Sequence, residues 1–341
     1  MQPNSEPTQV LLRAEGIVKG FPGIWEHLIL DHITIEIRAR EIHALLGENG
    51  AGKTVLANIL SGFYTASEGR IYVGGKQVSI DSPADAVKLG IGMIHQESTL
   101  VRPLTVAENV AVGLRASNSL AYPVRSVEQR LRELARVYGL AVDPRARVED
   151  LSVGEQQRVQ IIKTLFYEPQ VIILDEPTSV LTPSESQELF RVLRRMAERG
   201  HGVLFITHKL DEVTEASDAV TVLRLGKIVG SKPTASTERP ELMSLMFGTA
   251  APLTLGSRAS HEGQIALKVE DLHVLGADGA TRVRGVSFEV RSGEILGIAG
   301  VAGNGQTELV EALTGLHHVH RGKMSLFGRD ARDGGYEEDP F

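Results

Sequence analysis

The stretch Gly47-Glu48-Asn49-Gly50-Ala51-Gly52-Lys53-Thr54 decides how the rest of this chain is read. It fits G-x-x-x-x-G-K-[ST], a phosphate-binding loop. The apolar run Ala44-Leu45-Leu46 precedes it and a helical stretch follows, which is the strand–loop–helix context such a loop requires. Glycines let the backbone wrap around an anion so that its N–H groups point inward. The start of the next helix adds partial positive charge. Lys53 is then expected to reach the outer phosphates of a bound nucleotide, and the Thr54 hydroxyl to ligate Mg2+.

Further along, Val171-Ile172-Ile173-Leu174-Asp175-Glu176 is an apolar strand that ends in two carboxylates. Asp175 is placed to hold Mg2+, directly or through water. Glu176 is the candidate to polarise an attacking water. Between the two motifs lies Leu151-Ser152-Val153-Gly154-Glu155-Gln156-Gln157-Arg158. Ser152 with Glu155 reads as a helix capping box. Gly154 beside such a helix start leaves free N–H groups for an anion. The short apolar runs at 44–46, 171–174 and 203–206 suit buried parallel strands. Ile33-Thr34-Ile35-Glu36-Ile37-Arg38 alternates with period two, as a half-exposed antiparallel strand does. Helical spacing runs over 127–138 and 185–198. The expected architecture is α/β: a parallel core sheet, an antiparallel β subdomain and a helical subdomain near residues 105–165.

These segments together resemble the ATPase subunit of an ATP-binding cassette (ABC) transporter, a P-loop NTPase, over nearly the whole chain. In that family a signature of LSGGQ type sits between the phosphate loop and the acidic strand, as Leu151 to Gln156 do here, with Val153 departing from the commonest glycine. The resemblance implies ATP and Mg2+ as cofactors. Gly47, Glu48, Asn49, Gly50, Ala51, Gly52, Lys53 and Thr54 would bind ATP in one partner, and Ser152, Gly154, Glu155 and Gln156 in the other. It implies that Gln96, after Met93-Ile94-His95, and His208, after Ile206-Thr207, join Glu176 in catalysis, with Gln96 also near the metal beside Thr54 and Asp175. It implies an aromatic ring stacked on adenine, which Phe21 could supply; Trp25 and Tyr72 are the other rings weighed for that place. Thr182 stands where most members carry aspartate, and importers of simple sugars and nucleosides share that threonine. Transmembrane permease subunits, indirectly a solute-binding protein, and a second ATPase domain or chain paired head to tail are the implied partners. The implied location is peripheral, at the cytoplasmic face of the cell membrane.

The chain also repeats itself. EIHALLGENGAGKTVL begins at Glu41 and EILGIAGVAGNGQTEL at Glu294. The same spacing pairs Gly47 with Gly300, Gly52 with Gly305, Gly62 with Gly315 and Gly75 with Gly328. Ile33, Ile35 and Ile37 pair with Val286, Phe288 and Val290. The expected layout is a complete ATPase domain at 9–247, a linker at 248–264, the N-terminal part of a second domain at 265–330, and an irregular acidic tail at 331–341. The counterpart of Gln96 would fall past Phe341, and the tail reads as an unrelated or frameshifted ending or a fragment edge. Gln306 replaces Lys53 in the second loop, and a neutral amide cannot supply a lysine's charge to phosphate. The stretch GVAGNGQTEL, from Gly300, resembles the second half of nucleoside and simple-sugar import ATPases.

Composition narrows the classes. Of 341 residues, 42% are hydrophobic and 23% charged, which supports packed cores rather than disorder. No cysteine is present, which excludes a disulfide framework and a thiol nucleophile. A net charge of −7 argues against nucleic acid as the partner, and so against a ribosome- or DNA-acting tandem ATPase. The start, Met1-Gln2-Pro3-Asn4-Ser5-Glu6, lacks the basic-then-apolar pattern of a signal peptide. The leading expectation is therefore an ATP-hydrolysing subunit that energises import of a small polar solute, a simple sugar or a nucleoside. Its alternative is a truncated remnant that binds ATP without turning it over.

Overall fold

The structure, a computed structural model, describes residues 9–21, 28–115, 124–248, 263–276, 279–300 and 303–330. Trp25, the tail at 331–341 and all but the ends of the expected linker lie outside the described residues. The chain divides into two units, Met1–Ala251 and Pro252–Phe341.

In the first unit the strands are β1 (Val10–Lys19), β2 (Leu30–Arg38), β3 (Ile42–Leu46), β4 (Glu68–Val73), β5 (Lys76–Val78), β6 (Ile91–Ile94), β7 (Val171–Asp175), β8 (Gly202–Thr207), β9 (Ala219–Arg224) and β10 (Lys227–Pro233). The helices are α1 (Lys53–Leu60), α2 (Pro83–Lys88), α3 (Val106–Arg115), α4 (Val124–Tyr138), α5 (Val153–Leu165), α6 (Pro183–Glu198), α7 (Leu210–Ala216) and α8 (Arg239–Phe247). Six strands form one sheet in the order β10-β9-β3-β8-β7-β6, parallel except for β10.

Every residue of β3, β7 and β8 is buried. Successive side chains of a strand point to opposite faces, so a strand covered on both faces must be apolar throughout. Ile42, Ala44, Leu46, Ile172 and Leu174 enter the core under the helices α3–α6. Leu45, Val171 and Ile173 enter the core shared with α1 and the antiparallel sheet. That sheet runs β2-β1-β4-β5. Ile33, Ile35 and Ile37 of β2 are buried in it while Thr34 is exposed, as the period-two pattern predicts.

The helical part comprises α3, α4 and α5. Val127, Leu131, Leu134 and Tyr138 of α4 lie three or four residues apart and share its buried face. The helix expected over 185–198 begins two residues earlier, at Pro183. Thr182 caps it through Glu185, and proline at the first turn lacks only an N–H that has no helical partner there.

In the second unit β11 (Ile265–Leu275), β12 (Thr281–Arg291), β13 (Val319–Leu326) and β14 (Arg329–Asp330) form a sheet in the order β12-β11-β13-β14. Helix α9 (Gln306–Leu313) packs Leu309 and Ala312 on Val269, Leu272, Val274 and Val283. The strand expected at the start of EILGIAG does not form. Residues 294–300 pair with no described strand, and Ile295 is 91% exposed. In the first unit, β3 is held on its two edges by β8 and β9. An extended segment without such edges leaves its backbone groups to water.

Candidate active site

Parallel register brings the chemistry to one edge of the core sheet. Leu46, which precedes the phosphate loop, lies opposite Thr207, which precedes His208. Asp175 lies opposite Ile206, and Ile94, two residues before Gln96, lies opposite Leu174. Four strand ends therefore deliver the loop, Asp175 with Glu176, His208 and Gln96 to one place, as the carboxyl ends of parallel strands in α/β sheets do.

The loop is shaped by close backbone approach. A side chain at Gly47 would run into the Leu223 carbonyl, and one at Gly52 into that of Ile29. Gly52 takes φ 106° and caps α1 with no side-chain acceptor, so the first N–H groups of the helix face the loop's interior. Lys53 folds back across the loop, its Nζ donating to the carbonyls of Gly47 at 2.8 Å and Glu48 at 2.9 Å. Burial pushes this ammonium below the ordinary lysine range, opposed by the carboxylates of Glu176, Asp175 and Glu48.

Asp175 is 2% exposed. Burial raises its carboxyl above the usual range and the nearby Glu176 adds to that, while a hydrogen bond from Thr54 and the Lys53 charge oppose it. Its Oδ1 is buried without a hydrogen-bond partner. An orphaned carboxylate oxygen beside a threonine hydroxyl is a hard-oxygen donor pair that suits Mg2+, an ion that keeps waters and takes phosphate oxygens as its other ligands. Among the described residues no group of three His, Cys, Asp or Glu side chains could hold a metal alone. The pair thus fits a metal that arrives with nucleotide.

Glu176 follows in the left-handed region, φ 46°, with its N–H bonded to the Ile206 carbonyl at 3.0 Å. Its Oε1 lies 3.0 Å from His208 Nδ1. A carboxylate can only accept, so Nδ1 carries the proton. Gln96 Nε2 approaches Oε2 at 3.5 Å, the far limit of a hydrogen bond.

A cleft of about 1030 Å3 opens on these groups, lined by Asn49, Gly50, Gly52, Lys53, Thr54, Gln96 and Glu176. Leu28, Ile29, Asp31, Leu225, Gly226 and Lys227 also line it, none of them singled out in the sequence. Phe21 does not line the cleft. It stands edge-on to Tyr64 with centroids 5.3 Å apart, and the Lys19 ammonium lies over its ring. Leu28, which lines the cleft, is where a side chain added at Gly20 would make ordinary van der Waals contact. His95, also unremarked in sequence, packs against Phe63 at 4.8 Å, and burial lowers its pKa.

The signature residues lie elsewhere. Ser152 caps α5 in a complete capping box with Glu155, and Gln156 Nε2 donates to the Leu151 carbonyl at 2.9 Å. Gly154 lies against the Glu185 carboxylate of α6, where a side chain would collide. Ser152, Gly154, Glu155 and Gln156 do not line the cleft at the phosphate loop.

The family model described as ABC transporter matches residues 30–179 and again 283–340. The nucleoside import ATP-binding protein NupA of Lactococcus lactis subsp. cremoris is 43% identical over 300 residues, covering 88% of this chain and 59% of that protein. The ribose import ATP-binding protein RbsA 1 of Rubrobacter xylanophilus is 42% identical, covering 96% of this chain and 64% of that protein. The chain therefore spans about three fifths of the length of these curated relatives. A crystal structure of an ATP-binding cassette of an ABC transporter in its ADP conformation superposes with a TM-score of 0.61 at 26% identity, covering 71% of this chain and 96% of that one. With its phosphate loop, acidic strand end and capped signature helix in this fold, the chain belongs to the ABC transporter family.

Proposed function

We propose that this chain is an ATP-binding and ATP-hydrolysing subunit that energises ABC-type import of a small polar solute, a simple sugar or a nucleoside. The observation that carries the reading is the meeting of Lys53, Asp175, Glu176 and His208 at one edge of one sheet. In this reading the loop's N–H groups cradle the phosphates and Lys53 releases its two loop carbonyls to meet the β- and γ-phosphates. Thr54, Asp175 and Gln96 hold Mg2+, which when bound neutralises charge on those phosphates. Glu176 accepts a hydrogen bond from the attacking water and orients it toward the γ-phosphorus. His208 holds Glu176 and faces the same phosphoryl group. The products are ADP and phosphate. Phe21 is the proposed stacking ring for adenine, which would then extend past the residues that line the cleft.

Ser152, Gly154, Glu155 and Gln156 are assigned to the nucleotide of a partner domain or second chain in a head-to-tail pair, since they stand away from this chain's own cleft. The second unit is read as the N-terminal part of a duplicate ATPase domain. The twofold family match and the repeated sheet order support that reading. Permease subunits, and through them a solute-binding protein, are the proposed partners, at the cytoplasmic face of the cell membrane. Among the described residues no helix is long and apolar enough to cross a membrane, so membrane attachment is assigned to those partners.

A second reading, a chain that binds ATP without turning it over, draws on Gln306 in the second loop and on residues 294–300, which pair with no described strand. Phosphate release measured against protein concentration separates the two. Activity rising with the square of concentration supports hydrolysis by paired first units. ATP binding without release at any concentration overturns the hydrolytic reading in favour of the second.

A further inference from the structure

One buried carboxylate in the first unit has no part in the chemistry above. Glu212 is 7% exposed and sits in the first turn of α7, where the helix's N-terminal partial charge favours an anion. It accepts two short hydrogen bonds from different segments. Thr178 Oγ1 donates to its Oε1 at 2.5 Å and Thr207 Oγ1 to its Oε2 at 2.6 Å. Lys209 Nζ, 3.0 Å from Oε1, balances the charge. Both hydroxyls are themselves buried, each 2% exposed.

The positions of those threonines give the arrangement its meaning. Thr178 lies two residues after Glu176, and Thr207 immediately before His208. Glu176 occupies a left-handed backbone conformation, which strains a non-glycine residue and persists only where its surroundings fix it. The Glu176 N–H to Ile206 bond fixes one side of that residue. The Thr178–Glu212 bond fixes the other.

The geometry points to Glu212 as a positioning residue, a clamp whose single carboxylate ties the segment after Glu176 to the strand end before His208 and so holds that pair at hydrogen-bond distance. The inference rests on the proposed hydrolytic role of Glu176, but the clamp itself is a statement of geometry. A carboxylate serves where an amide would not. Both threonine hydroxyls donate here, and only a carboxylate offers an acceptor oxygen to each while also meeting an ammonium.

The test uses the full chain with Thr178→Val, Thr207→Val and the double variant, which remove the donated bonds and leave Glu212 in place. Each single variant is expected to lower kcat about tenfold with the Kd for ATP unchanged, and Thr178→Ser to restore it. In a crystal structure of the double variant, His208 Nδ1 and Glu176 Oε1 are expected beyond hydrogen-bond distance. The clamp is overturned if the pair stays at its native separation in that structure. It is equally overturned if kcat is unchanged in variants of a chain whose wild type turns over. A wild type without turnover removes the hydrolytic reading alone, and the crystal structure still decides the clamp.

Discussion

Two stretches at the same register of the repeat, Glu41–Thr54 and Glu294–Thr307, fold to different extents. Their local turns agree. Gly52 and Gly305 cap α1 and α9 at φ 106° and 90°, and Gly62 and Gly315 both sit at 79°. Gly75 and Gly328 take 79° and 77°, and His32 matches Gly285 at 53° and 67°. The antiparallel sheets have the same order. The strand that leads into the loop differs: β3 is buried between two neighbours, whereas residues 294–300 pair with no described strand. Turn geometry is carried by the residues that form it. A parallel strand is held by partners remote in sequence.

The largest effect that would sharpen this contrast is expected at Glu176. Glu176→Gln keeps size and shape but cannot accept a proton or a strong hydrogen bond from water. Phosphate release should fall about 100- to 10,000-fold while ATP binding is preserved. Full turnover in that variant would end the role assigned to the residue.

Next in size is a pair of substitutions at matched positions of the repeat. Ile42→Ala in β3 empties a fully buried site and should destabilise the first unit by about 2–5 kcal/mol in denaturant titration. Ile295→Ala, at the same register and 91% exposed, should stay within about 0.5 kcal/mol. Equal costs at the two positions would mean that residues 294–300 are packed in solution.

How much of this was legible beforehand follows the same division. The phosphate loop, the Asp175–Glu176 strand end and the capping box at Ser152 are each written within eight consecutive residues, and their local structure followed the pattern. The apolar wall of the cleft was not legible. Leu28 and Ile29 immediately precede β2, Leu225 comes from the hairpin between β9 and β10, and no periodicity links them. Glu212 was not legible either, because only the fold brings Thr178 and Thr207 to it. The residues 294–300 misled for the opposite reason: their apolar pattern matches β3, but a pattern cannot supply the neighbouring strands.

The loops themselves allow a finer comparison by exchanging Lys53 and Gln306. Lys53→Gln gives the first loop the second loop's chemistry. Hydrogen bonds to a charged group are worth about 1.5–3 kcal/mol, so ATP affinity at the first cleft should fall about ten- to a hundredfold. The reverse change, Gln306→Lys, is best measured in the Lys53→Gln background, where the first site no longer dominates the binding of a fluorescent nucleotide.

The gain from Gln306→Lys should be the smaller of the two, under about tenfold, because preorganisation governs how much of a charge's attraction appears as affinity. In the first unit the Gly47 carbonyl that receives Lys53 is anchored at the end of a strand paired on both edges. In the second, the Gln306 amide fills the space a side chain at Gly300 would need, but Gly300 belongs to a segment that pairs with no described strand. A loop that follows such a segment is less firmly held for a ligand than one that follows β3. A gain as large as the loss at Lys53 would show that the missing strand neighbours do not matter to the loop. No gain at all would show that the second loop is not a phosphate site whatever residue it carries.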